Sequence, residues 1–216
     1  MDINTKTNTK CLTTKLVVTA MLVAVAFVLQ YFEVSFPLVP SFIKLDFSDV
    51  PELIGSFAIG PMYGVIISAV KNILHLPFGS SMAVGELSNF ILGAAFSFIA
   101  GMVYKYCKNR KGAAVGAILG ALAMALISIP SNYFVVYPVY SQLWAGGDMN
   151  VIINMYKTIL PLSDTLLKSL LIFNVPFTFV KGIIVAVITF IIYKPLSNVI
   201  YKMNTTFNKK KIDKTA

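Results

Sequence analysis

Charged side chains are scarce in this sequence. Aspartate, glutamate, lysine and arginine make up only 12% of its 216 residues, whereas hydrophobic residues make up 57% and the mean hydropathy is +0.78. A soluble domain of this size could not cover its surface with so little charge. Apolar runs recur along the chain, so the first is interpreted as a membrane span and not as a cleaved signal. The composition predicts an integral membrane protein.

Residues that build reactive centres are few. Cys11 and Cys107 are the only cysteines, and both lie beside lysine-rich segments, which indicates neither a disulfide framework nor a metal site. His75 is the only histidine, with no second histidine or cysteine near it in the sequence. The ATP-binding motif G-x-x-x-x-G-K-[ST] does not occur. We therefore expect no enzyme, no metal and no cofactor, and keep an intramembrane enzyme as an alternative.

Acidic residues number nine against 18 lysines and arginines, which gives a net charge of +9. A nucleic-acid partner would explain such an excess, but the lysines lie in tails and short loops beside apolar segments. Loops on the cytoplasmic side of a membrane are enriched in lysine and arginine, and this rule explains the placement. We expect the lipid bilayer as a partner and no nucleic acid.

Apolar length predicts the helices, because about 20 apolar residues cross a bilayer. Four segments have about that length: 13–31, 86–106, 112–137 and 173–195. A further apolar segment is predicted to form two short helices, 50–59 and 61–76, that meet at Gly60-Pro61. If this segment crossed the membrane only once, the basic cluster at 105–111 and the N-terminal lysines would lie on opposite sides of the membrane. That would violate the rule that basic loops lie on the cytoplasmic side.

These segments predict an all-α, six-helix membrane bundle. It forms one domain over residues 1–200, followed by a basic cytoplasmic tail, 201–216. Both termini and the 105–111 loop then lie on the cytoplasmic side. The stretch 141–171 is predicted to be an external or interfacial loop with short helices, because polar residues interrupt it.

The stretch 41–55, SFIKLDFSDVPELIG, places acids between two apolar segments. Asp46, Asp49 and Glu52 all lie in it, although a carboxylate beside a membrane segment is costly. Charge retained at such a cost marks a functional site, so the loop is predicted to form part of one.

Lys181 lies deep in the last predicted helix, where an ammonium group faces the bundle interior and pairs with another group. Asn174 and Thr178 share its helix face. Two interpretations stay open at this point. Either Lys181 lines a cavity, or it forms an internal ion pair with Glu86 or with an aspartate of the loop.

Other polar side chains fall in the same outer half of the bundle. Asn132 lies in the fifth helix, and Glu86 and Asn89 share a face of the fourth. Each alone would serve to join neighbouring helices. Together with the loop they predict an outward-facing cavity for a flat heteroaromatic ligand. The aromatic residues expected to line it are Phe42, Phe47, Phe177 and Phe179.

Small residues recur in two helices. Ala20 and Ala24 lie four apart in the first helix, and Gly112, Gly116 and Gly120 form a ridge in the fifth. Small residues at this spacing let another helix approach closely. On the residues alone, packing inside the monomer is the favoured interpretation of both.

The segments FIKLDFSDVPELIGSFAIGP, VKNILH and GELSNFILG resemble the riboflavin-binding S components of energy-coupling factor (ECF) vitamin transporters. The likeness extends from the first helix to Lys181-Gly182. It implies a substrate-binding subunit of a bacterial cytoplasmic membrane that captures riboflavin outside as transported ligand. It also implies docking on a transmembrane coupling protein and two ABC-type ATPases.

The resemblance also implies site residues, because the family's pocket lies between the first loop and helices four to six. The matching positions are Leu45, Asp46, Phe47, Glu86, Asn89, Asn132, Thr178 and Lys181. The family often has asparagine in place of Thr178, so an amide contact is lost, weakened or taken over by Asn174. The face with Ala20 and Ala24 is then expected to contact the coupling protein. Another vitamin or a nucleobase-like cargo stays an alternative.

Overall fold

The structure, a computed structural model, describes residues 3–37, 39–40, 43–79, 83–144 and 146–212. Seven helices fill most of that part of the chain. The first four are α1 (Ile3–Gln30), α2 (Asp49–Ala58), α3 (Pro61–His75) and α4 (Val84–Tyr106). Helix α5 runs without a break through Arg110–Ser131, Asn132–Val136 and Tyr137–Trp144. Helix α6 is Met149–Ile159, and α7 runs through Leu166–Ser169, Leu170–Asn174 and Val175–Ile212.

The seven helices correct the predicted six. The additional helix is α6, an 11-residue helix in the stretch for which the sequence predicts a loop with short helices. The all-α description is also incomplete, because β1 (Val34–Ser35) and β2 (Lys44–Leu45) pair antiparallel. Four described segments are long and apolar enough to cross a membrane: Leu12–Gln30, Val84–Tyr106, Arg110–Leu143 and Leu166–Tyr193.

Two helices reach further toward one end of the bundle than apolar length predicts. Helix α5 continues past the predicted end at 137 to Trp144, and α7 begins at Leu166 instead of 173. Each contains a π-helical turn in the extended part, at Asn132–Val136 and at Leu170–Asn174. A π-helical turn accommodates an extra residue without ending the helix, and such turns are frequent at functional sites.

Helices α2 and α3 meet at Gly60, as the sequence predicts. Gly60 has φ of +146°, a conformation that glycine adopts without strain, and Pro61 begins α3, where its missing N–H costs no hydrogen bond. With 10 and 15 residues, both helices are shorter than a full span. Helix α2 is instead enclosed by α1, α3, α4 and α7, and its residues from Asp49 to Phe57 are all buried.

Helices α4 and α5 approach each other along the ridge of small residues. A Cβ atom added to Gly116 would lie 2.6 Å from the carbonyl oxygen of Ala100, and one added to Gly120 would lie 2.7 Å from that of Phe96. Ala117 is fully buried in the same contact. The ridge is internal packing.

One end of the bundle is closed by irregular structure and by α6. Ile152 and Tyr156 of α6 are fully buried and pack with Tyr137 of α5 and Leu170 of α7. Ile43, which precedes β2, packs against the same cluster. We refer to this end, where α5 finishes and α7 begins, as the capped end.

The α4–α5 contact predicts a cost for any added side chain. Gly120→Ala is expected to destabilise the protein by roughly 1–3 kcal/mol, since the new methyl group overlaps the Phe96 backbone and the helices must separate. The thermal unfolding midpoint in detergent measures the effect. Leu119→Ala, at a neighbouring side chain that is 44% exposed, is the control. An equal change in both variants would contradict the close approach.

Candidate functional site

A cavity of about 300 Å³ lies at the capped end between the α1–α2 loop and helices α4, α5 and α7. This volume is at the lower end of the range for small-molecule sites. Its polar lining residues are Gln30, Glu33, Lys44, Asp46, Glu86, Ser88, Asn89, Asn132, Asn174, Thr178 and Lys181. Its larger apolar and aromatic lining residues are Ile43, Val84, Leu92, Met124, Val136, Tyr137, Tyr140 and Phe177.

Seven of the nine ligand-binding residues predicted from the sequence line this cavity: Asp46, Glu86, Asn89, Asn132, Asn174, Thr178 and Lys181. Leu45 and Phe47 do not belong to the lining. Lys44 and Asp46 line the cavity, while Leu45 between them is buried outside the lining.

The aromatic walls differ from the predicted set. Phe177 lines the cavity, but Phe179 packs against the main hydrophobic core. Phe42 lies outside the described residues. The structure places Tyr137 and Tyr140 in the wall instead, both from the extended part of α5.

Lys181 forms two ion pairs with the acidic loop and α2. Its Nζ atom lies 2.9 Å from Asp46 Oδ2 and 3.0 Å from Asp49 Oδ2, and the lysine side chain is only 8% exposed. Asn89 joins the same group, since its Oδ1 atom lies 3.3 Å from the ammonium nitrogen. Both interpretations of Lys181 hold together, because the residue is ion-paired and also lines the cavity.

A second buried lysine extends the network to α3. Lys71 Nζ lies 3.0 Å from Asp49 Oδ1 and 2.7 Å from Glu52 Oε1, with all three side chains at 0–1% exposure. The same ammonium group donates to Ser48 Oγ. Asp49 therefore bridges Lys71 and Lys181, and the loop is joined to α2, α3 and α7.

Asp46 anchors the loop. Its Oδ1 atom accepts a hydrogen bond from the Ser48 backbone N–H at 2.9 Å, and its Oδ2 atom accepts one from Asn89 at 3.4 Å. Burial raises the pKa of the Asp46 carboxyl, but the ammonium groups of Lys181 and Lys71 outweigh burial and hold this pKa well below its usual range. Asp46 is therefore a carboxylate at neutral pH.

Glu86 is held by a histidine that the sequence prediction left out of the site. His75 Nδ1 lies 2.9 Å from Glu86 Oε1, and both side chains are 5% exposed. A Cβ atom on Gly79 would lie 1.9 Å from the same carboxylate oxygen, so the α3–α4 connection passes directly beside it. The only pointer in the sequence is that His75 and Glu86 flank one short loop.

Asn174 belongs to a ring of three hydrogen bonds that the sequence prediction missed. Tyr156 donates to Asn174 Oδ1 at 2.7 Å, and Asn174 Nδ2 donates to the Tyr137 hydroxyl at 2.7 Å. The two tyrosine hydroxyls lie 2.6 Å apart. Tyr156 comes from α6 and is fully buried, so a helix outside the cavity wall fixes the direction of a cavity amide.

The π-helical turn in α5 explains why Tyr137 was overlooked. In an α-helix, residues five apart point in different directions, and Asn132 and Tyr137 would not share a face. Here the Tyr137 N–H bonds to the Asn132 carbonyl, five residues back, and both side chains line the cavity. An α-helical projection of the sequence cannot show this.

Ala20 and Ala24 lie far from the cavity lining. Both are exposed on α1, beside the exposed apolar side chains of Leu16, Met21 and Val25. Within the described residues nothing covers this face of α1. Packing inside the monomer therefore does not account for these two alanines.

Comparison with known proteins gives a consistent result. A family model described as the substrate-specific component of ECF transporters matches residues 14–193. The chain is 33% identical over 184 residues to the riboflavin transporter RibU of Staphylococcus aureus (strain TCH60), covering 85% of this chain and 90% of that protein. It is 35% identical over 183 residues to the riboflavin transporter FmnP of Bacillus subtilis (strain 168), covering 83% and 90%.

A solved structure described as the S component of a bacterial ECF transporter has the same fold. Its TM-score with this chain is 0.69 at 31% sequence identity, and the match covers 87% of this chain and 98% of that one.

The hydrogen-bonded ring predicts a role for the Tyr156 hydroxyl. Tyr156→Phe is expected to lower the free energy of unfolding by about 1–3 kcal/mol, because Asn174 Oδ1 loses its buried donor. Thermal unfolding measures the loss, and Tyr106→Phe, at a side chain that is 79% exposed, is the control. If both variants unfold at the same temperature, the ring does not stabilise the capped end.

Proposed function

This chain belongs to the substrate-specific components of the ECF transporters, and from that premise we propose that it binds riboflavin in the cavity at the capped end. The observation that carries the proposal is the cavity itself, which combines aromatic walls with a few fixed amides and charges. Relatives named riboflavin transporters, at 33% and 35% identity, support the same ligand.

The lining suits the two halves of riboflavin. The isoalloxazine ring is flat and packs between aromatic and aliphatic side chains such as Phe177, Tyr137 and Leu92. Its pyrimidine edge requires donors and acceptors, for which Asn132 and Lys181 are the proposed partners. The remaining polar groups at the loop side are then available to the ribityl hydroxyls.

Asn174 is proposed to supply the amide that related proteins have at the position of Thr178. Its Oδ1 and Nδ2 atoms already take part in the ring with Tyr156 and Tyr137, and one N–H of the amide is left over from that ring. Thr178 offers a hydroxyl on the same face. In this proposal Asn174 therefore makes the amide contact with the ligand in place of the residue at position 178.

The charges of the lining favour riboflavin over its phosphate ester. Three carboxylates, of Glu33, Asp46 and Glu86, face two ammonium groups, of Lys44 and Lys181. Both lysines are paired, with Glu33 and with Asp46, so neither is a free counter-ion for a phosphate.

We infer that the chain spans the membrane several times, with both termini and the 105–111 loop on the cytoplasmic side. The capped end then faces outward, where the vitamin is captured. The sequence contains no ATP-binding motif of its own. The energy for release inward is proposed to come from a coupling protein and two ABC-type ATPases, as the resemblance implies. The exposed face of α1 at Ala20 and Ala24 is the proposed contact with the coupling protein.

Two other functions have less support. An enzyme would require a nucleophile with a base, or a metal cluster, and the only histidine is already paired with Glu86. Another heteroaromatic cargo would fit the same fold, and the binding experiment decides between it and riboflavin.

Riboflavin binding has a direct test. Purified protein is expected to quench riboflavin fluorescence with a saturable, one-to-one stoichiometry. Lys181→Met is expected to weaken binding by about tenfold or more, because a hydrogen bond to a charged group is worth roughly 1.5–3 kcal/mol. Lys168→Met, at an exposed surface pair, is the control with the same change of side chain.

Two outcomes would count against the proposal. If the wild-type protein leaves riboflavin fluorescence unchanged, the cargo is a different compound. If Lys181→Met lowers the unfolding midpoint but binds riboflavin normally, Lys181 serves only the ion pairs with Asp46 and Asp49.

The docking face has a separate test. The double variant Ala20→Leu, Ala24→Leu is expected to abolish riboflavin uptake by cells that contain the coupling module, because the coupling protein can no longer approach α1. Riboflavin affinity of the purified variant is expected to stay within about twofold of wild type, since neither residue lines the cavity. Val187→Leu, an exposed apolar change on α7, is the control. Loss of binding together with uptake would indicate a packing defect instead.

A further inference from the structure

A second cavity, of about 470 Å³, lies at the end of the bundle opposite the capped end. We call it the basal cavity. It is formed between α2, α4, α5 and α7, and its lining includes Phe57, Tyr104, Asn109, Arg110, Thr189 and Tyr193. Its volume lies within the range of small-molecule sites. We propose that the basal cavity binds an anionic phospholipid, with the headgroup phosphate at Arg110 and the glycerol ester region at Thr189.

The basal cavity lies at the depth of lipid headgroups. Candidate spans of α4, α5 and α7 end or begin at Tyr106, Arg110 and Tyr193. Asn109 and Arg110, in the short connection between α4 and α5, are exposed. The cavity therefore extends from the membrane surface into the apolar layer between helices, a position in which basic pockets bind lipid headgroups.

The charge around the basal cavity favours an anion. Arg110 forms no ion pair with any residue that the structure describes, and Lys105, Lys108 and Lys111 lie within five positions of it. The helix α5 begins at Arg110, so the positive end of its dipole also faces this region.

Carboxylates that would compensate this charge lie elsewhere. Within the described part of the chain, every carboxyl group lies toward the capped end, either in a loop or in the first turns of a helix. These residues are Glu33, Asp46, Asp49, Glu52, Glu86, Asp148 and Asp164.

A buried hydroxyl inside the basal cavity lacks a partner. Thr189 is fully buried, and its Oγ1 atom has no hydrogen-bond partner among the described residues. A hydroxyl buried without a partner is unfavourable, and a ligand atom that accepts a hydrogen bond from it removes that cost. Thr189 lies four residues, or about 6 Å along the helix axis, deeper than Tyr193. In a phospholipid the ester carbonyl oxygens follow the phosphate into the membrane, so an acceptor arrives at this depth.

The rest of the basal cavity is largely aromatic and apolar. The rings of Phe57 and Tyr104 lie 5.0 Å apart between centroids at a 55° tilt. Phe190 and Tyr193 complete an aromatic wall of the type found at membrane interfaces. A free phosphate ion would leave these walls without a partner, whereas the first methylene groups of an acyl chain fill them. The combination selects a lipid as the source of the anion.

The test uses the full-length protein in mild detergent at about 300 mM salt, where the attraction of anions to exposed lysines is screened. Phosphatidylglycerol is titrated into the micelles, and phosphatidylcholine and inorganic phosphate are titrated in parallel. The thermal unfolding midpoint reports binding, and native mass spectrometry counts retained lipids. Phosphatidylglycerol is expected to raise the unfolding midpoint and to be retained at one molecule per chain. Phosphatidylcholine and inorganic phosphate are expected to do neither.

Two variants and one control locate the site. Arg110→Gln is expected to weaken the phosphatidylglycerol response by about tenfold, the value of a charge-assisted hydrogen bond. Lys111→Gln removes the same charge from the adjacent position, which lies outside the basal cavity, and is expected to retain the response. Thr189→Val tests the deeper contact without changing charge, and serves if Arg110→Gln fails to fold.

The proposal is overturned by any of three results. Equal responses of Arg110→Gln and Lys111→Gln would show general attraction to a basic surface. A midpoint shift with inorganic phosphate that equals the lipid's would show a free anion site. Equal responses to phosphatidylcholine and phosphatidylglycerol would remove the role of headgroup charge. Riboflavin binding is independent of all three, because none of these residues lines the cavity at the capped end.

Discussion

The arrangement of this bundle depends on five ionisable groups that are buried together. Lys71 and Lys181 lie among the carboxyl groups of Asp46, Asp49 and Glu52. Burying any one of these groups alone in its charged form would cost too much free energy. Deleting one partner of a buried ion pair costs about 3–5 kcal/mol of stability. The loop after α1, the short helix α2, α3 and the long α7 must therefore stay in one relative position. Helix α2, too short to span, is held by these polar contacts together with the burial of Val50, Leu53 and Ile54 in the main core.

The same groups connect structure and ligand chemistry. Asp46 and Lys181 are members of the ion-pair network and of the cavity wall. A ligand that approaches Lys181 thus meets an ammonium group whose position is already fixed, which lowers the entropy that binding must offset. At the other side of the cavity, the ring of Tyr137, Tyr156 and Asn174 does the same for an amide. Both walls are preorganised by residues that lie partly outside the cavity.

The sequence predicts those parts of the molecule that follow from local rules. Hydropathy located the four long segments, and Gly60-Pro61 located the turn between α2 and α3. Helical spacing put Asn174, Thr178 and Lys181 on one face. It missed Tyr137, which follows the π-helical turn in α5, and the residues taken from the resemblance included Leu45 and Phe47, which lie outside the cavity lining. Tyr156 and His75 could not be assigned, because the contact between α6 and α7 and that between α3 and α4 are tertiary. The number of helices was wrong for the same reason, since α6 is stabilised by burial of Ile152 and Tyr156.

The π-helical turns make the length of two helices as important as their composition. Removing one residue from 133–136 would convert the five-residue turn into an ordinary four-residue α-helical turn, so that Tyr137 would lie four positions after Asn132 and keep its face. Tyr137 and Tyr140 would then stay in the wall, and hydropathy and helix content would hardly change. The same holds for 170–174, where the deletion would leave the residues on either side of the turn on their present faces. A one-residue deletion in a regular part of α5 or α7 would instead rotate the rest of the helix by about 100°, so tolerance to deletions should be greatest at two short segments that contain no charge.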